Sequence, residues 1–217
     1  MVDRCLKCTI IDMFNPMIFM LENFMRKQFL SIVFLLTGSF VFSQSGTYEL
    51  KNKNGSYCYI SFQKAGVNVT AEIFAWWNTQ SGQTGSYFGK SQSKDNTYLL
   101  KSDENDPDCK VSLLLDNGKM HANFDNCNVD HLPQDFNGDY RKITDATAGD
   151  YIVSVPKSYF YEKPDNVNKK KIYLIKGNKV TLNIDSIIPG KWINVYYVDP
   201  QGKEYRGYMA LANLKKI

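Results

Sequence analysis

Alternation of apolar and polar side chains constrains the fold of this chain more than any other feature. In the stretch VNVTAEIFAWW, one face is apolar at every second position and the other face is mixed. The apolar face comprises Val67, Val69, Ala71, Ile73, Ala75 and Trp77, and the mixed face comprises Asn68, Thr70, Glu72, Phe74 and Trp76. A period of two residues is typical of half-buried antiparallel strands. Because turn signals with glycine separate such stretches and no window has a sustained helical period, we predict an all-β fold.

The stretch CKVSLLLDNGKMHANFD predicts a β-hairpin whose register can be derived. A two-residue turn at Asn117-Gly118 pairs Leu115 with Met120, so the apolar faces of the two strands match. The same register leaves Cys109 and Cys127 on opposite faces of the ladder.

A disulfide between these two cysteines is nevertheless predicted. It needs Cα atoms within roughly 4.4–6.8 Å of each other, so the ladder must end or bulge near Asp125. The neighbouring Asn126 and Asn128 suit such an irregular backbone. The Cys109–Cys127 bridge leaves Cys58 as a buried free thiol, and an oxidising compartment would permit such a bridge.

The segment MRKQFLSIVFLLTGSFVFSQ, which begins at Met25, has the three parts of a secretory signal peptide. The positive Arg26-Lys27 pair precedes an apolar run over residues 29–42, and the small-residue cleavage rule places the cut before Gln44. A transmembrane anchor is the alternative, but about 14 apolar residues are fewer than the roughly 20 that a spanning helix needs. We therefore expect a periplasmic or secreted protein, with residues 1–43 as upstream extension and signal peptide, and no stable membrane span after cleavage.

Charge changes sign along the chain. Residues 44–147 carry 10 Lys and Arg against 13 Asp and Glu, whereas residues 148–217 carry 12 against 6. This change predicts a domain boundary near residues 146–149 and a C-terminal half suited to an acidic surface. The overall net charge of +4 is too modest to imply a nucleic-acid partner.

Residues 44–142 open on Gly46-Thr47-Tyr48, carry Cys109 and Cys127 beside a hairpin, and close on the stretch FNGDY. In these features the segment resembles small secreted bacterial β-barrels of the lysozyme-inhibitor-like kind. The resemblance implies a small antiparallel β-barrel or sandwich for this first domain.

Four short motifs follow one another within residues 148–217. They are SYFYEKP from Ser158, IYLIKGNKV from Ile172, KWINV from Lys191 and GYMALANL from Gly207. In this order they resemble the first strand and loop, the Leu-x-x-Gly-x-x-Val strand, the Gly-Trp-x-x-Val strand and the closing strand of bacterial SH3 (SH3b) domains. The resemblance implies an SH3-like barrel with cell-wall peptide or protein ligands. The family's Arg-Ser-Gly-Pro loop is here EKPD, which lacks the glycine.

Candidate catalytic residues are few. The chain has two histidines, of which His121 lies on the polar face of the hairpin. Cys109 with His131 would mimic the Cys/His pair of hydrolases that accompany SH3b domains, but a cysteine on a strand more often packs or forms a disulfide. The Cys5-Leu6-Lys7-Cys8 pair lacks the two further ligands of a metal site. We therefore predict no enzymatic activity, no cofactor and no metal.

Two charged stretches are explained by exposure to solvent. The stretch SDENDPD over residues 102–108 offers oxygen ligands for Ca²⁺, but it lacks the glycine and the bidentate Glu of an EF-hand loop, so a solvated turn is expected. Lys169-Lys170-Lys171 would meet phosphates or cell-wall carboxylates, or protect a strand edge from aggregation, and the second interpretation is favoured.

Aromatic residues are the strongest candidates for a binding site. The predicted ligand-binding set is Tyr159, Tyr161, Trp192, Tyr197 and Tyr208. Tyrosine combines a flat apolar face with a hydroxyl, which suits peptide or sugar recognition, although some of these rings are also expected to complete the core. Phe74 and Trp76 lie on the nominally polar face of their strand and predict a contact surface, with the second domain as the candidate partner.

Taken together, these features favour an exported, non-catalytic binding protein of the bacterial envelope, whose partner is a peptidoglycan peptide or an envelope protein. The alternative is a secreted inhibitor or immunity-like protein whose first domain blocks a lysozyme-type or other hydrolase.

Overall fold

A computed structural model describes residues 44–92, 95–132 and 134–217, and these belong to one compact unit, Ser43–Ile217. The predicted signal peptide and the upstream cysteine pair lie outside the described residues. The described residues form two antiparallel sheets joined by turns and short 3₁₀ segments, so the all-β prediction is confirmed.

Eight strands form the first sheet. They are β1 (Gly46–Lys51), β2 (Tyr57–Ala65), β3 (Asn68–Trp76), β4 (Thr84–Gln92), β5 (Thr97–Leu100), β6 (Lys110–Asp116), β7 (Lys119–Asp125) and β8 (Gly138–Thr144). Their hydrogen-bonded order is β4-β3-β2-β1-β8-β7-β6-β5. Lys90 and Lys101 exchange two backbone hydrogen bonds of 2.8 Å between the two outermost strands, so the sheet is a nearly closed barrel.

Side chains inside this barrel follow the alternation in the sequence. Val69, Ala71 and Ile73 are buried, as predicted for their face of β3, and removal of apolar surface from water is the main stabilising contribution. Buried polar groups find partners: the Tyr140 hydroxyl donates to the carbonyl of Phe136 over 2.8 Å.

The predicted hairpin register is confirmed. Leu115 pairs with Met120 across the ladder of β6 and β7. Both turn residues have positive φ, 48° at Asn117 and 78° at Gly118, as a two-residue turn between twisted antiparallel strands requires.

The predicted Cys109–Cys127 disulfide is confirmed, with its Cα atoms 4.4 Å apart. The ladder ends at the pair formed by Lys110 and Asp125. Asn126 then adopts a left-handed φ of 57°, which turns the chain and brings Cys127 over Cys109. The remaining described cysteine is free and buried, as predicted.

Seven strands form the second sheet. They are β9 (Gly149–Val153), β10 (Lys157–Tyr161), β11 (Lys169–Ile175), β12 (Lys179–Leu182), β13 (Trp192–Val198), β14 (Glu204–Ala210) and β15 (Leu214–Lys216). Their order is β11-β10-β14-β13-β12-β9-β15, which curves into a half-barrel. Its concave side holds a second core in which Phe160, Ile193 and Met209 are buried.

Phe74 and Tyr59, from the outer surface of the first barrel, pack against the core of the second sheet. Phe74 therefore marks a contact surface, as predicted, whereas Trp76, which was predicted with it, is not among the residues that pack against this core and contacts Tyr57 instead. The amide of Ala148, in the connection between the sheets, donates to Ser61 Oγ over 2.7 Å. The two sheets consequently share one apolar interface.

Candidate ligand-binding face

Three of the predicted binding residues lie side by side on the convex side of the second sheet. Tyr161 pairs with Tyr208 across β10 and β14, and Tyr208 pairs with Asn194 across β14 and β13. Trp192, two residues before Asn194, lies on the same side. The ring centroids of Trp192 and Tyr161 are 5.0 Å apart in an edge-to-face arrangement, and both rings are half-buried.

Tyr159 lies next to this group, toward the open edge of the sheet. Its ring centroid is 5.7 Å from that of Tyr173, its partner on β11. Lys157 Nζ lies 3.6 Å from the Tyr173 centroid, and Lys169 Nζ lies 4.5 Å from the Tyr159 centroid. Cations at these distances interact favourably with the negative faces of aromatic rings.

Lys157 also changes the ionisation of its neighbour. A hydrogen bond between the two side chains raises the pKa of Lys157 and lowers the pKa of Tyr159. Both groups are exposed to solvent, so this corner of the surface keeps a fixed positive charge that a ligand can reach.

We call this surface the aromatic face. It consists of the outward rings of β10, β11, β13 and β14, namely Tyr159, Tyr161, Tyr173, Trp192, Tyr196 and Tyr208. Arg206 stacks on Tyr196 with its guanidinium carbon 5.6 Å from the ring centroid.

Tyr173, Tyr196 and Lys157 were not among the residues predicted from sequence. The alternation in KSYFY and the pairing of that strand with KKKIYLI are the signals that would have identified Lys157 and Tyr173.

Tyr197 lies on the opposite, concave side of the sheet. It follows the inward parity of Val195, contacts Tyr205 at 6.1 Å between ring centroids, and packs against the second core. The structure therefore brings Tyr161, Trp192 and Tyr208 together, places Tyr159 beside them and separates Tyr197 from them. A ligand-binding role for these residues stays a prediction.

Aromatic rings also extend over the outer surface of the first barrel. Tyr57 contacts Trp76 at 5.5 Å and Tyr59 at 4.8 Å between ring centroids. Burial raises the pKa of Tyr59 to about 12. These rings extend from the interface between the sheets toward solvent. Because they also form a cluster at the surface, they provide a control for experiments on the aromatic face.

The candidate catalytic residues have structural partners. His121 Nδ1 lies 2.9 Å from Asp139 Oδ1 on the exposed side of the first barrel. His131 has a φ of 54°, and its ring contacts Gln83. Because Cys109 is in a disulfide, it carries no thiol that could pair with His131.

Asn105 organises the acidic stretch over residues 102–108. Its side-chain oxygen accepts a hydrogen bond from Ser102 Oγ over 2.9 Å, and its side-chain nitrogen donates to Asp130 Oδ1 over 2.9 Å. Among the described residues, no group of three or more His, Cys, Asp or Glu side chains is arranged to hold a metal ion.

Comparisons with models of protein families, with curated proteins and with solved structures find no match to this chain. Within residues 44–92, 95–132 and 134–217, none of the helical segments has the length and apolar character that crossing a membrane requires.

Proposed function

We propose that this chain is an exported, non-catalytic binding protein of the bacterial envelope, and that its aromatic face binds a cell-wall peptide or an envelope protein. The observation that carries the proposal is the cluster of Tyr161, Trp192 and Tyr208 on the convex side of the second sheet. Such rings are too accessible to serve only as core, and aromatic anchors dominate the energy of many binding surfaces.

The charge beside the rings supports a ligand with carboxylates. Lys157 and Lys169 lie against rings of the face, where their charges stay available to solvent. Cell-wall peptides combine small apolar side chains with free carboxylates, so both parts of such a ligand have a complement here.

Two further observations support the location and the class of ligand. The Cys109–Cys127 disulfide is compatible with an oxidising, extracytoplasmic compartment. The resemblance of residues 148–217 to SH3b domains implies cell-wall peptide or protein ligands. Both agree with the signal peptide predicted from sequence.

Sedimentation with purified peptidoglycan tests the proposal. We expect the protein to pellet with peptidoglycan at low salt, and we expect Trp192→Ala to weaken the binding at least about tenfold, as loss of a central aromatic anchor typically does. Trp76→Ala is the matched control, because Trp76 also contacts a tyrosine at the surface but belongs to the first sheet. It should pellet like the wild type.

Failure of the wild type to pellet at low salt would contradict binding to peptidoglycan. Pelleting that Trp192→Ala and Trp76→Ala leave equally strong would contradict the aromatic face as the site. Inhibition of a lysozyme-type enzyme by both variants, without pelleting, would favour the inhibitor alternative.

A further inference from the structure

The open edge of the second sheet lies on β11, which has β10 as its single neighbour. An edge strand exposes backbone N–H and C=O groups that can pair with another strand. Three apolar side chains of β11 are also exposed: Ile172 by 41%, Tyr173 by 46% and Ile175 by 55%. This edge therefore combines free hydrogen-bonding groups with apolar surface.

The hydrogen bonds at the end of β11 identify which groups are free. The amide of Ile175 donates to Asn178 Oδ1 over 2.8 Å, and the carbonyl of Ile175 accepts from the amide of Asn178. Ile175 therefore does not use these groups to bond β10. Because antiparallel ladders use every second residue, Tyr173 also directs its N–H and C=O away from β10, toward solvent.

Other strand edges of the described residues are covered or short. Along β4, the amide of Phe88 donates to the side chain of Asn105, and Lys90 bonds with Lys101. At the far edge of the second sheet, β15 has three residues. Short edges, bulges and edge lysines are the usual defences against unwanted pairing. β11 begins with three lysines and has a shift in its register with β10, but residues 173–175 are not covered, and the lysines do not oppose an acidic strand.

Charge around β11 is strongly positive. Lys169, Lys170 and Lys171 begin the strand, and Lys157 lies opposite its end. Within the described residues, the ion pairs of the chain do not include these four lysines. Lys157 and Lys169 lie over the rings of the aromatic face, so they do not block the edge.

We propose that β11 binds an extended, acidic segment of a partner protein, which adds to the second sheet as an eighth strand. Its backbone would bond to the free groups of Tyr173. On the concave side its apolar side chains would cover Ile172, and on the convex side its carboxylates would face Lys169 and Lys171. A second copy of this chain fits poorly, because β11 carries no carboxylates and a pair of β11 strands would leave the lysine triplets of both copies without an opposite charge. The inference goes beyond the proposed function, since it concerns the edge of the sheet and a strand-addition mode of binding, and not the aromatic face.

Binding of blocked peptides, measured by fluorescence anisotropy, tests the inference. The probe is a labelled nonapeptide in which glutamate alternates with valine, and the same peptide with lysine in place of glutamate is the charge control. We expect saturable binding of the glutamate peptide alone. K169E/K171E should weaken it at least about tenfold, because the charges that attract it are reversed. The matched variant K203E/K215E changes net charge equally at exposed sites away from β11, and it should bind like the wild type.

Two N-methylated versions of the probe separate strand addition from simple charge attraction. One version is methylated at its odd-numbered amides and the other at its even-numbered amides, so one of them loses the N–H groups that face β11. We expect one version to lose binding and the other to keep it. Equal binding of both versions would overturn the inference. Equal weakening by K169E/K171E and K203E/K215E would also overturn it. So would tighter binding of the polyanion dextran sulfate than of the glutamate peptide. Because peptidoglycan pelleting depends on Trp192 and not on the backbone of β11, either proposal can fail without the other.

Discussion

At the scale of single residues, burial sets the chemistry of Cys58. Its side chain is fully enclosed in the first barrel, and burial raises the pKa of the thiol from 9.0 to about 12. The physical cause is that a thiolate would lose its hydration without gaining a compensating charge. The thiol is therefore neutral and unreactive at physiological pH. Cys109 and Cys127, in contrast, are bonded to each other in the disulfide.

This shift predicts a dependence of stability on alkaline pH. Because the folded pKa lies above the unfolded pKa of 9.0, the contribution of Cys58 is fully present below pH 9 and is lost as the pH rises toward 12. In urea unfolding between pH 8 and pH 11, the wild type should lose more stability than Cys58→Ala, by up to about 1.4 kcal/mol per pH unit. The other tyrosines with raised pKa values are common to both proteins. Tyr140 is the exception, because its pKa is raised first by burial and then by Cys58, so the difference reports on the Cys58–Tyr140 pair.

Labelling with a maleimide gives a second measurement of the same property. At pH 8, Cys58 should react only as fast as the protein unfolds, because both exposure and ionisation are needed. Rapid labelling of the native protein would contradict a buried, protonated Cys58. The same conclusion would follow if the free energy of unfolding depended on pH identically in the wild type and in Cys58→Ala.

At the scale of structural elements, the side chain of Asn105 takes the place of a neighbouring strand. Its Oδ1 accepts a hydrogen bond of 3.0 Å from the amide of Phe88, and its Nδ2 donates to the carbonyl of Ser86 over 3.1 Å. Both groups lie on the edge of β4, beyond the point where Lys101, the residue after β5, pairs with Lys90. One amide thus satisfies backbone groups that the nearly closed barrel leaves open.

Asn105→Ala should therefore destabilise the protein by about 1–3 kcal/mol, the usual effect of leaving such backbone groups unsatisfied. The control is Asn68→Ala, because Asn68 accepts a hydrogen bond between two exposed side chains. That variant should change stability by less than about 0.5 kcal/mol. Urea unfolding of both variants measures the difference, and equal losses would show that Asn105 does not close the edge.

Elements with a strict period were predictable from the sequence, and contacts between distant loops were not. The register of Leu115 with Met120 follows from alternation and a two-residue turn. It also showed that the Cys109–Cys127 bridge requires the ladder to end near Asp125, as it does. Alternation also predicts that Trp192 and Tyr197 lie on opposite sides of β13. It does not say which side of β13 faces the core, because both sides carry aromatic rings, and so the predicted site combined residues that the fold places apart.

The hydrogen bonds of Asn105 follow no local pattern. Its partners on β4 lie 17 and 19 residues away along the chain, on the other side of β5, and no periodic pattern specifies the contact. Lys157 is an intermediate case. Alternation in KSYFY places it on the outward side of β10, but its position over Tyr173 depends on the register between β10 and β11. Long-range pairing is set by the whole sheet and not by any segment of it.

At the scale of the whole molecule, the two sheets share an interface that makes their stabilities interdependent. A half-barrel of about 70 residues buries too little apolar surface to be strongly stable alone. Phe74 and Tyr59 complete its core from the first barrel. Hydrogen bonds such as that of Thr47 Oγ1 to the carbonyl of Ala146, 2.7 Å long, fix the connection between the sheets.

Phe74→Ala should consequently affect both sheets, although Phe74 belongs to the first. We expect a loss of about 2–3 kcal/mol, somewhat less than for a fully buried ring, because Phe74 is only partly enclosed. Trp76→Ala, two residues along the same face of β3, is the control, because Trp76 is not among the residues that pack against the second core. Hydrogen exchange shows whether the loss of stability reaches the second sheet. In Phe74→Ala the amides of β12 and β13 should exchange faster than in Trp76→Ala, because their sheet has lost its apolar cover. Faster exchange confined to β2 and β3 would mean instead that each sheet is stable by itself, and that the interface between them contributes little.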